Sequence, residues 1–259
     1  MPQRRNLLRK NPSISESIKN TRENPTKNRR KLNETLERSK SQQYEGWRGC
    51  DGGFQRYKEV FKKSLNDRPT NFLLEELKVH NPNVMMLGPG KGHYAALFKK
   101  ELESIGVNIH IDTLGFSKTI DKELIRDELI RKDHSPHISK ATAFEHINPK
   151  EHPKLIKKIK GKYHLVIGER SVGLYGESKP YAIFQTALLL EKRGRAFLDV
   201  QFTKETLKDI VEVSKRMLRA YNKANNTDLE YKITALKDTL VTSQDLRTQA
   251  IYIQIDRVN

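Results

Sequence analysis

The sequence predicts an α/β protein built on a seven-stranded, mainly parallel sheet, and three observations predict it. Short β-rich runs alternate with helical runs from residue 83 onward, a glycine-rich turn follows the first strand, and no helix separates the last two strands. Such alternation places parallel strands in one sheet with helices on both faces. Two strands joined only by a loop pair antiparallel, so the last two form an antiparallel pair at one edge.

Each element is predicted from its own pattern. We predict strands at 83–88, 107–113, 138–144, 163–168, 195–202, 229–236 and 248–257. Helical periodicity lies between the first six of them, at 92–104, 120–132, 149–160, 178–192 and 204–224. A loop of about a dozen residues joins the last two strands. Residues 83–259 therefore form the predicted α/β domain.

A helical lead-in is predicted at 44–82, ahead of the first strand. Aromatic and aliphatic side chains recur at roughly helical spacing after the glycine-rich stretch 49–53, and Asn81-Pro82 ends a second short helix. Trp47, Phe54 and Tyr57 either dock this helix on the sheet, the interpretation we favour, or close over a ligand or a base.

We predict that residues 1–43 form a basic, disordered arm. The chain carries a net charge of +17, of which residues 1–70 hold +10, from 18 Lys and Arg against 8 Asp and Glu. No aromatic residue precedes Tyr44, so this segment lacks the apolar surface that offsets the entropy of folding. Such an arm attracts phosphates, and RNA is the partner we expect. A solubilising tail and a targeting signal are the alternatives, and the cluster 27–31 suits a nuclear signal equally well.

Several classes of protein and site are excluded or disfavoured. The single cysteine, Cys50, excludes an intramolecular disulfide framework and a zinc site of several thiolates. No apolar run approaches the roughly 18 residues of a membrane helix, and no secretory core follows the N-terminus. We expect a soluble intracellular protein, cytoplasmic rather than nuclear, without a membrane partner. His134 and His137, with His146 nearby, lack an acidic partner cluster, so we expect no metal site. The oligomeric state has no signal in the sequence.

The strongest motif is the glycine-rich turn after the first strand, VMMLGPGKGHY at 84–94. Glycines at such a turn let a ligand approach the backbone closely. A Walker phosphate loop needs Ser or Thr after Lys91, where this chain has Gly92. A dinucleotide fingerprint needs its third glycine at position 93, which is His93. Both of these ligand classes are thereby disfavoured.

The turn resembles the nucleoside-binding loop of class I S-adenosylmethionine-dependent methyltransferases, which have a Rossmann-like sheet. The resemblance covers about 71–259, because five helix-separated strands followed by an antiparallel pair is also that family's element order. It implies S-adenosylmethionine as the cofactor. The positions that match cofactor-binding positions of the family are Gly88, Pro89, Gly90 and Gly92 in the turn, Asp112 for the ribose hydroxyls at the end of the second strand, 24 residues beyond Gly88, and Ala143 and Phe144 at the adenine-contacting turn.

Glu169, at the end of the fourth strand, is the candidate catalytic residue. Methyl transfer needs donor and acceptor held close and, for oxygen or nitrogen acceptors, removal of a proton. We expect Glu169 to orient the acceptor or to remove that proton; the alternative is an ion pair with Arg170 or a nearby lysine. The motifs of amino-group and of pyrimidine C5 methyltransferases are absent. The basic charge favours RNA as the acceptor.

A non-catalytic protein of the same fold is the rival hypothesis. Met86 and Thr142 stand where the family commonly has acids. A fold that has lost its cofactor would persist as a module that binds nucleic acid or a protein partner. Cofactor binding separates the two hypotheses.

Overall fold

The structure is a computed structural model that describes residues 53–115, 120–134, 157–169, 179–202, 206–242 and 249–259. All of them belong to one compact unit, Arg48–Asn259. The predicted arm 1–43, the first part of the lead-in with Trp47, and the predicted strand 138–144 lie outside the described residues. No helix in the described ranges is long and apolar enough to cross a membrane.

Seven strands and six α-helices make up the described fold. The strands are β1 Asn83–Leu87, β2 His110–Leu114, β3 Lys132–Asp133, β4 Tyr163–Gly168, β5 Leu190–Phe202, β6 Tyr231–Thr242 and β7 Gln249–Arg257. The helices are α1 Phe54–Tyr57, α2 Arg68–Asn71, α3 His93–Ser104, α4 Lys122–Arg126, α5 Lys179–Leu189 and α6 Leu207–Asn225. Two π-helical segments, Lys58–Ser64 and Phe72–Leu77, continue α1 and α2.

The strands form one sheet in the order β3-β2-β1-β4-β5-β7-β6. The first five strands in this order are parallel to one another. Strand β7 lies between β5 and β6 and is antiparallel to both. The predicted mainly parallel sheet with a terminal antiparallel pair is confirmed. Because the chain leaves β1 toward β3 on one side and resumes at β4 on the other, the strand order reverses between β1 and β4. The carboxyl ends of these two strands flank the crevice where open α/β sheets bind ligands.

Helix α4 and strand β3 differ from the prediction. The predicted helix 120–132 is wrong beyond Arg126, because Glu128 has a left-handed backbone with φ 56°. The amide of Arg131 then donates to the carbonyl of Ile111 in β2 (2.7 Å), which draws the chain onto the sheet edge. The third strand in the described residues is therefore Lys132–Asp133, which begins at the last residue of the predicted helix.

Strands β5 and β6 are longer than predicted. Strand β5 begins at Leu190, five residues early, so the helix predicted to reach 192 ends at Leu189. A Cβ atom at Gly194 would lie 2.8 Å from the carbonyl oxygens of Glu191 and Tyr163, so this irregular start of β5 requires a glycine. Strand β6 extends six residues beyond the predicted end and shortens the predicted loop before β7.

The two faces of the sheet bury separate apolar layers. On one face α5 and α6 cover Met85, Leu87 and Val166. On the other face α3 and the lead-in cover Val84 and Met86. The lead-in is fixed there by aromatic packing, since the rings of Phe61 and Phe98 stack with centroids 4.4 Å apart. Tyr57 is buried beside Phe61, as expected for a helix docked on the sheet, whereas Phe54 is 57% exposed.

Candidate functional site

The glycine turn lies at the carboxyl end of the central strand. Gly88, Gly90 and Gly92 have φ of 63°, 60° and 91°, a left-handed backbone that other residues adopt only with strain. The amide of Gly88 donates to the carbonyl of Leu114 at the end of β2 (2.8 Å), and that of Gly92 to Pro89 (3.0 Å). The chain therefore makes a tight turn from β1 into α3 at the crevice.

Gly92 is required by protein packing. A Cβ atom there would lie 2.7 Å from Cδ1 of Ile130 and 3.2 Å from Cδ1 of Ile120 and of Leu124. The segment around α4 therefore packs directly on the third glycine of the turn. The packing of the protein therefore explains the glycine at position 92 without any ligand.

Asp112 does not end its strand, so that expectation is wrong. β2 continues to Leu114, and Asp112 pairs with Met85, three residues before Gly88. At about 3.3 Å per residue, this places Asp112 roughly 10 Å from Gly88 along the strand direction. The residue that meets the turn at the end of β2 is Leu114.

Protein groups surround the Asp112 carboxylate. Arg131 donates to its two oxygens from Nε (2.8 Å) and Nη2 (2.9 Å), the Tyr163 hydroxyl donates to Oδ2 (2.8 Å), and His134 Nε2 lies 3.1 Å from Oδ2. Burial acts to raise the pKa of Asp112, but hydrogen bonds from His134, Arg131 and Tyr163 outweigh it and hold that pKa well below its usual range. Burial, with the adjacent carboxylate, raises the pKa of Tyr163. Asp112 is thus an ionised anchor for its neighbours.

Glu169 follows β4 directly and is 4% exposed. It forms an ion pair with Arg56 of α1, 113 residues away. The Arg56 guanidinium also lies over the ring of Tyr94, two residues beyond Gly92, at 5.7 Å from the centroid. Arg56 therefore links the lead-in, the first turn of α3 and the end of β4. An ion pair was the alternative to a catalytic role for Glu169, with Arg170 or a lysine as its partner; the pair found is with a lead-in arginine, and Arg170 lies outside the described residues.

Further ionisable groups lie deeper in β5 and β7. Asp199 of β5 is buried and stands opposite Tyr252 of β7. Burial, with the charges of Glu169 and Asp199, raises the pKa of Tyr252 well above its usual value. Burial lowers the pKa of Lys179 at the start of α5, against the opposing effect of Asp199. Sequence reasoning missed these groups, because strand alternation marks Asp199 and Tyr252 only as inward-facing positions.

Ala143 and Phe144, the predicted adenine contacts, lie outside the described residues, as do His137 and His146. His134 is engaged with Asp112. Within the described ranges, no three or more His, Cys, Asp or Glu side chains are grouped to hold a metal ion.

The sheet decides the fold class. A parallel sheet that starts at its centre, carries a glycine turn after β1 and ends in an antiparallel β6/β7 pair is the arrangement that the resemblance to class I methyltransferases implies. The chain has this fold. Gly88, Pro89 and Gly90 lie at the carboxyl end of β1, at the crevice beside the reversal of strand order.

Comparisons with known proteins add similar structures. No protein-family model and no curated protein matches the sequence. Solved structures that match include a Pyrococcus horikoshii protein described only broadly as a transferase (7% identity, TM-score 0.45, 71% of this chain and 60% of that one). Others are the CMeT domain of citrinin polyketide synthase (11%, 0.38, 69% and 46%) and M. jannaschii TYW2 in complex with AdoMet (12%, 0.43, 71% and 71%).

The chain spans less than two thirds of the first two of these proteins. At such identities and TM-scores the matches carry no argument about activity or substrate. The fold assignment rests on the strand order and on the turn after β1.

Proposed function

We propose that the protein is an S-adenosylmethionine-dependent methyltransferase. The observation that carries the proposal is the glycine turn, with three left-handed residues at the carboxyl end of β1 beside the reversal of strand order. The cofactor, when bound, supplies an electrophilic methyl group. The backbone of Gly88, Pro89 and Gly90 would hold it, and Ala143 and Phe144 would contact its adenine.

The residues present fit this cofactor in part. The turn fits, because its first two glycines place no side chain over the backbone at the crevice. Asp112 does not fit as the ribose-binding acid, because three protein side chains already bind its carboxylate and it lies two residues before the end of β2. The proposal therefore assigns the ribose hydroxyls to a group other than Asp112.

Glu169 serves the proposed reaction by positioning. The Glu169 carboxylate is buried and engaged by the Arg56 guanidinium, which favours a positioning role over proton removal. Through Arg56, Glu169 holds the lead-in beside Tyr94 and the glycine turn. The pair thereby fixes one wall of the crevice in which donor and acceptor meet.

RNA is the acceptor class that we propose. The support is the net charge of +17 and its concentration in the first 70 residues. Counterion release on binding phosphates favours a polyanionic substrate for such a chain. The arm 1–43 supplies these contacts in the proposal.

A second candidate function is a non-catalytic module of the same fold. Two observations favour it. Side chains of the same chain bind the Asp112 carboxylate, and the Ile130 side chain packs against Gly92. In that case the basic surface binds RNA without methyl transfer.

Calorimetric titration of the full-length protein with S-adenosylmethionine and S-adenosylhomocysteine tests the proposal, with NAD and ATP as negative controls. The site variant is Gly90→Ala. The matched control is Gly106→Ala, since Gly106 also has a positive φ (83°) but nothing within 4 Å of an added Cβ. It follows α3, about 18 Å of helix away from the turn.

We expect both sulfur compounds to bind the natural protein, Gly90→Ala to weaken that binding about tenfold or more, and Gly106→Ala to leave it unchanged. The absence of binding to a folded natural protein at millimolar concentration would contradict the enzyme and favour the non-catalytic module. Equal losses in both variants would mean that the turn is not the binding element.

A further inference from the structure

A cavity of about 320 Å³ lies at the ends of the strands opposite to the glycine turn. It is lined by Asn83 at the start of β1, Lys132 at the start of β3 and Tyr163 at the start of β4. Asn83 and Gly88 are five residues apart on an extended strand, about 16 Å. No residue of the glycine turn lines this cavity. It is therefore separate from the proposed methyl-donor site.

The cavity combines a rigid floor with a cationic wall. Its floor is the buried Asp112 carboxylate with the side chains that bind it, Arg131, Tyr163 and His134, of which Arg131 is exposed. Arg131 is held further by a hydrogen bond from Nη1 to the Asn83 side-chain oxygen (3.0 Å). Lysines occupy the remaining lining positions, Lys132, Lys158 and Lys162. Four cations thus face one carboxylate, and Arg131 already neutralises that carboxylate.

The three lysines are poorly compensated. The ion pairs at this cavity in the described part of the chain all use Asp112, and none uses a lysine. Lys132 and Lys158 approach one another closely enough that Lys158, through a direct side-chain contact and through its charge, lowers the pKa of Lys132. Both lysines are exposed, so solvent screens their repulsion, and an anion placed between the two ammonium groups is attracted by both.

We propose that this cavity binds the phosphate group of a phosphorylated ligand, with Lys132, Lys158 and Lys162 contacting the phosphate oxygens. A phosphate offers several oxygens and close to two negative charges, which matches clustered ammonium groups better than a single carboxylate does. A cavity of about 320 Å³ exceeds one phosphate and lies within the range of small-molecule sites. The ligand is thus a nucleotide or the phosphorylated end of an RNA, which share this chemistry.

The test uses inorganic pyrophosphate as the probe and the full-length protein. The dissociation constant is measured by titration calorimetry at constant ionic strength, with sodium chloride as the compensating salt. The site variant is Lys132→Ala/Lys158→Ala. The matched control is Lys100→Ala/Lys208→Ala, which removes the same charge from two exposed lysines outside the cavity.

We expect the dissociation constant for pyrophosphate to rise about tenfold or more in the site variant, because charge-assisted hydrogen bonds are lost. In the control variant it should rise less than about twofold. Without phosphate, the melting temperature of the site variant should stay close to that of the natural protein, because both lysines are exposed. No pyrophosphate binding by the natural protein, or equal losses in both variants, would overturn the proposal.

The source of the phosphate is distinguished with two RNA oligonucleotides of one sequence, carrying a 5′-phosphate or a 5′-hydroxyl. If the phosphorylated RNA binds more tightly, and the site variant loses that difference, the ligand is an RNA end. If the two oligonucleotides bind equally and pyrophosphate still binds, the ligand is a small phosphorylated molecule. The outcome is independent of the methyl donor, so failure here leaves the proposed methyltransferase activity untouched.

Discussion

Gly92 shows how a single position joins the ligand-facing turn to the core. The Cα hydrogen that a side chain would replace faces three methyl groups, of Ile120, Leu124 and Ile130, so any side chain there displaces α4 and the chain leading to β3. The same glycine begins α3 with a left-handed backbone. The turn and the packing of α4 are therefore coupled through one residue.

We predict that Gly92→Ala lowers the free energy of unfolding by about 1–3 kcal/mol, because the added methyl overpacks against Ile130. The measurement is urea unfolding followed by circular dichroism. Gly106→Ala serves as the control, since it carries the strain of a positive φ without a steric neighbour. It should be the less destabilised variant.

Ile130→Val removes the methyl group nearest to the added Cβ. In a double-mutant cycle, Gly92→Ala should cost less in the Ile130→Val background than in the natural protein. Strictly additive effects would show that the contact with Ile130 is not the reason for the glycine.

At the scale of elements, one buried ion pair fastens the lead-in to the sheet. Arg56 and Glu169 have side chains that are 10% and 5% exposed, and they join α1 to the end of β4. Removal of one member leaves a buried charge without its ionic partner, which typically costs about 3–5 kcal/mol. We therefore predict that Arg56→Met undocks the lead-in.

The measurement is amide hydrogen exchange across 53–77 together with urea unfolding. We expect Arg56→Met to speed exchange in the lead-in and to destabilise the protein, and Arg56→Met/Glu169→Leu to recover part of the loss. Arg126→Ala is the control, because the pair of Arg126 with Asp127 is largely exposed and contributes little. If Arg56→Met behaved like that control, the pair would not hold the lead-in.

The elements that the sequence predicted well are those with one dominant local pattern. β4 was predicted at its observed bounds and β7 within one residue, because apolar runs between clear turn signals specify buried strands. The start of β5 was missed, because Glu191 to Arg193 favour a helix locally, whereas Leu190 already pairs with Tyr163 of β4 and Arg193 has a left-handed backbone that ends any helix. Tertiary contacts decided this boundary.

The site residues also divide into those that a local pattern predicts and those that only tertiary contacts reveal. The glycine turn follows from residue types and spacing alone, since positive φ requires glycine. The partners of Asp112 and Glu169 lie 19 to 113 residues away, and no local pattern reveals contacts over such separations. Residue type and spacing predicted that Asp112 and Glu169 belong to a functional site. Only the fold shows that Arg131 and Arg56 bind their carboxylates.

For the whole molecule, the positive charge falls in parts of the chain that have different expected roles. The arm 1–43 carries twelve Lys and Arg against four Asp and Glu, nearly half of the net charge. The cavity beside Lys132 adds a local cationic site within the folded unit. If the arm contacts RNA phosphates, its contribution depends on salt and not on RNA sequence.

We predict that deletion of residues 1–43 weakens RNA binding and flattens its salt dependence. The measurement is the slope of log K against log salt for a single-stranded RNA, where each lost phosphate contact lowers the slope by about 0.7. A matched control keeps the length of the arm and replaces Lys27, Arg29, Arg30 and Lys31 by glutamine. Because the effect arises from charge, this variant should lose part of the slope although the arm remains. An unchanged slope after deletion would assign RNA binding to the folded unit, and the arm would then have no part in it.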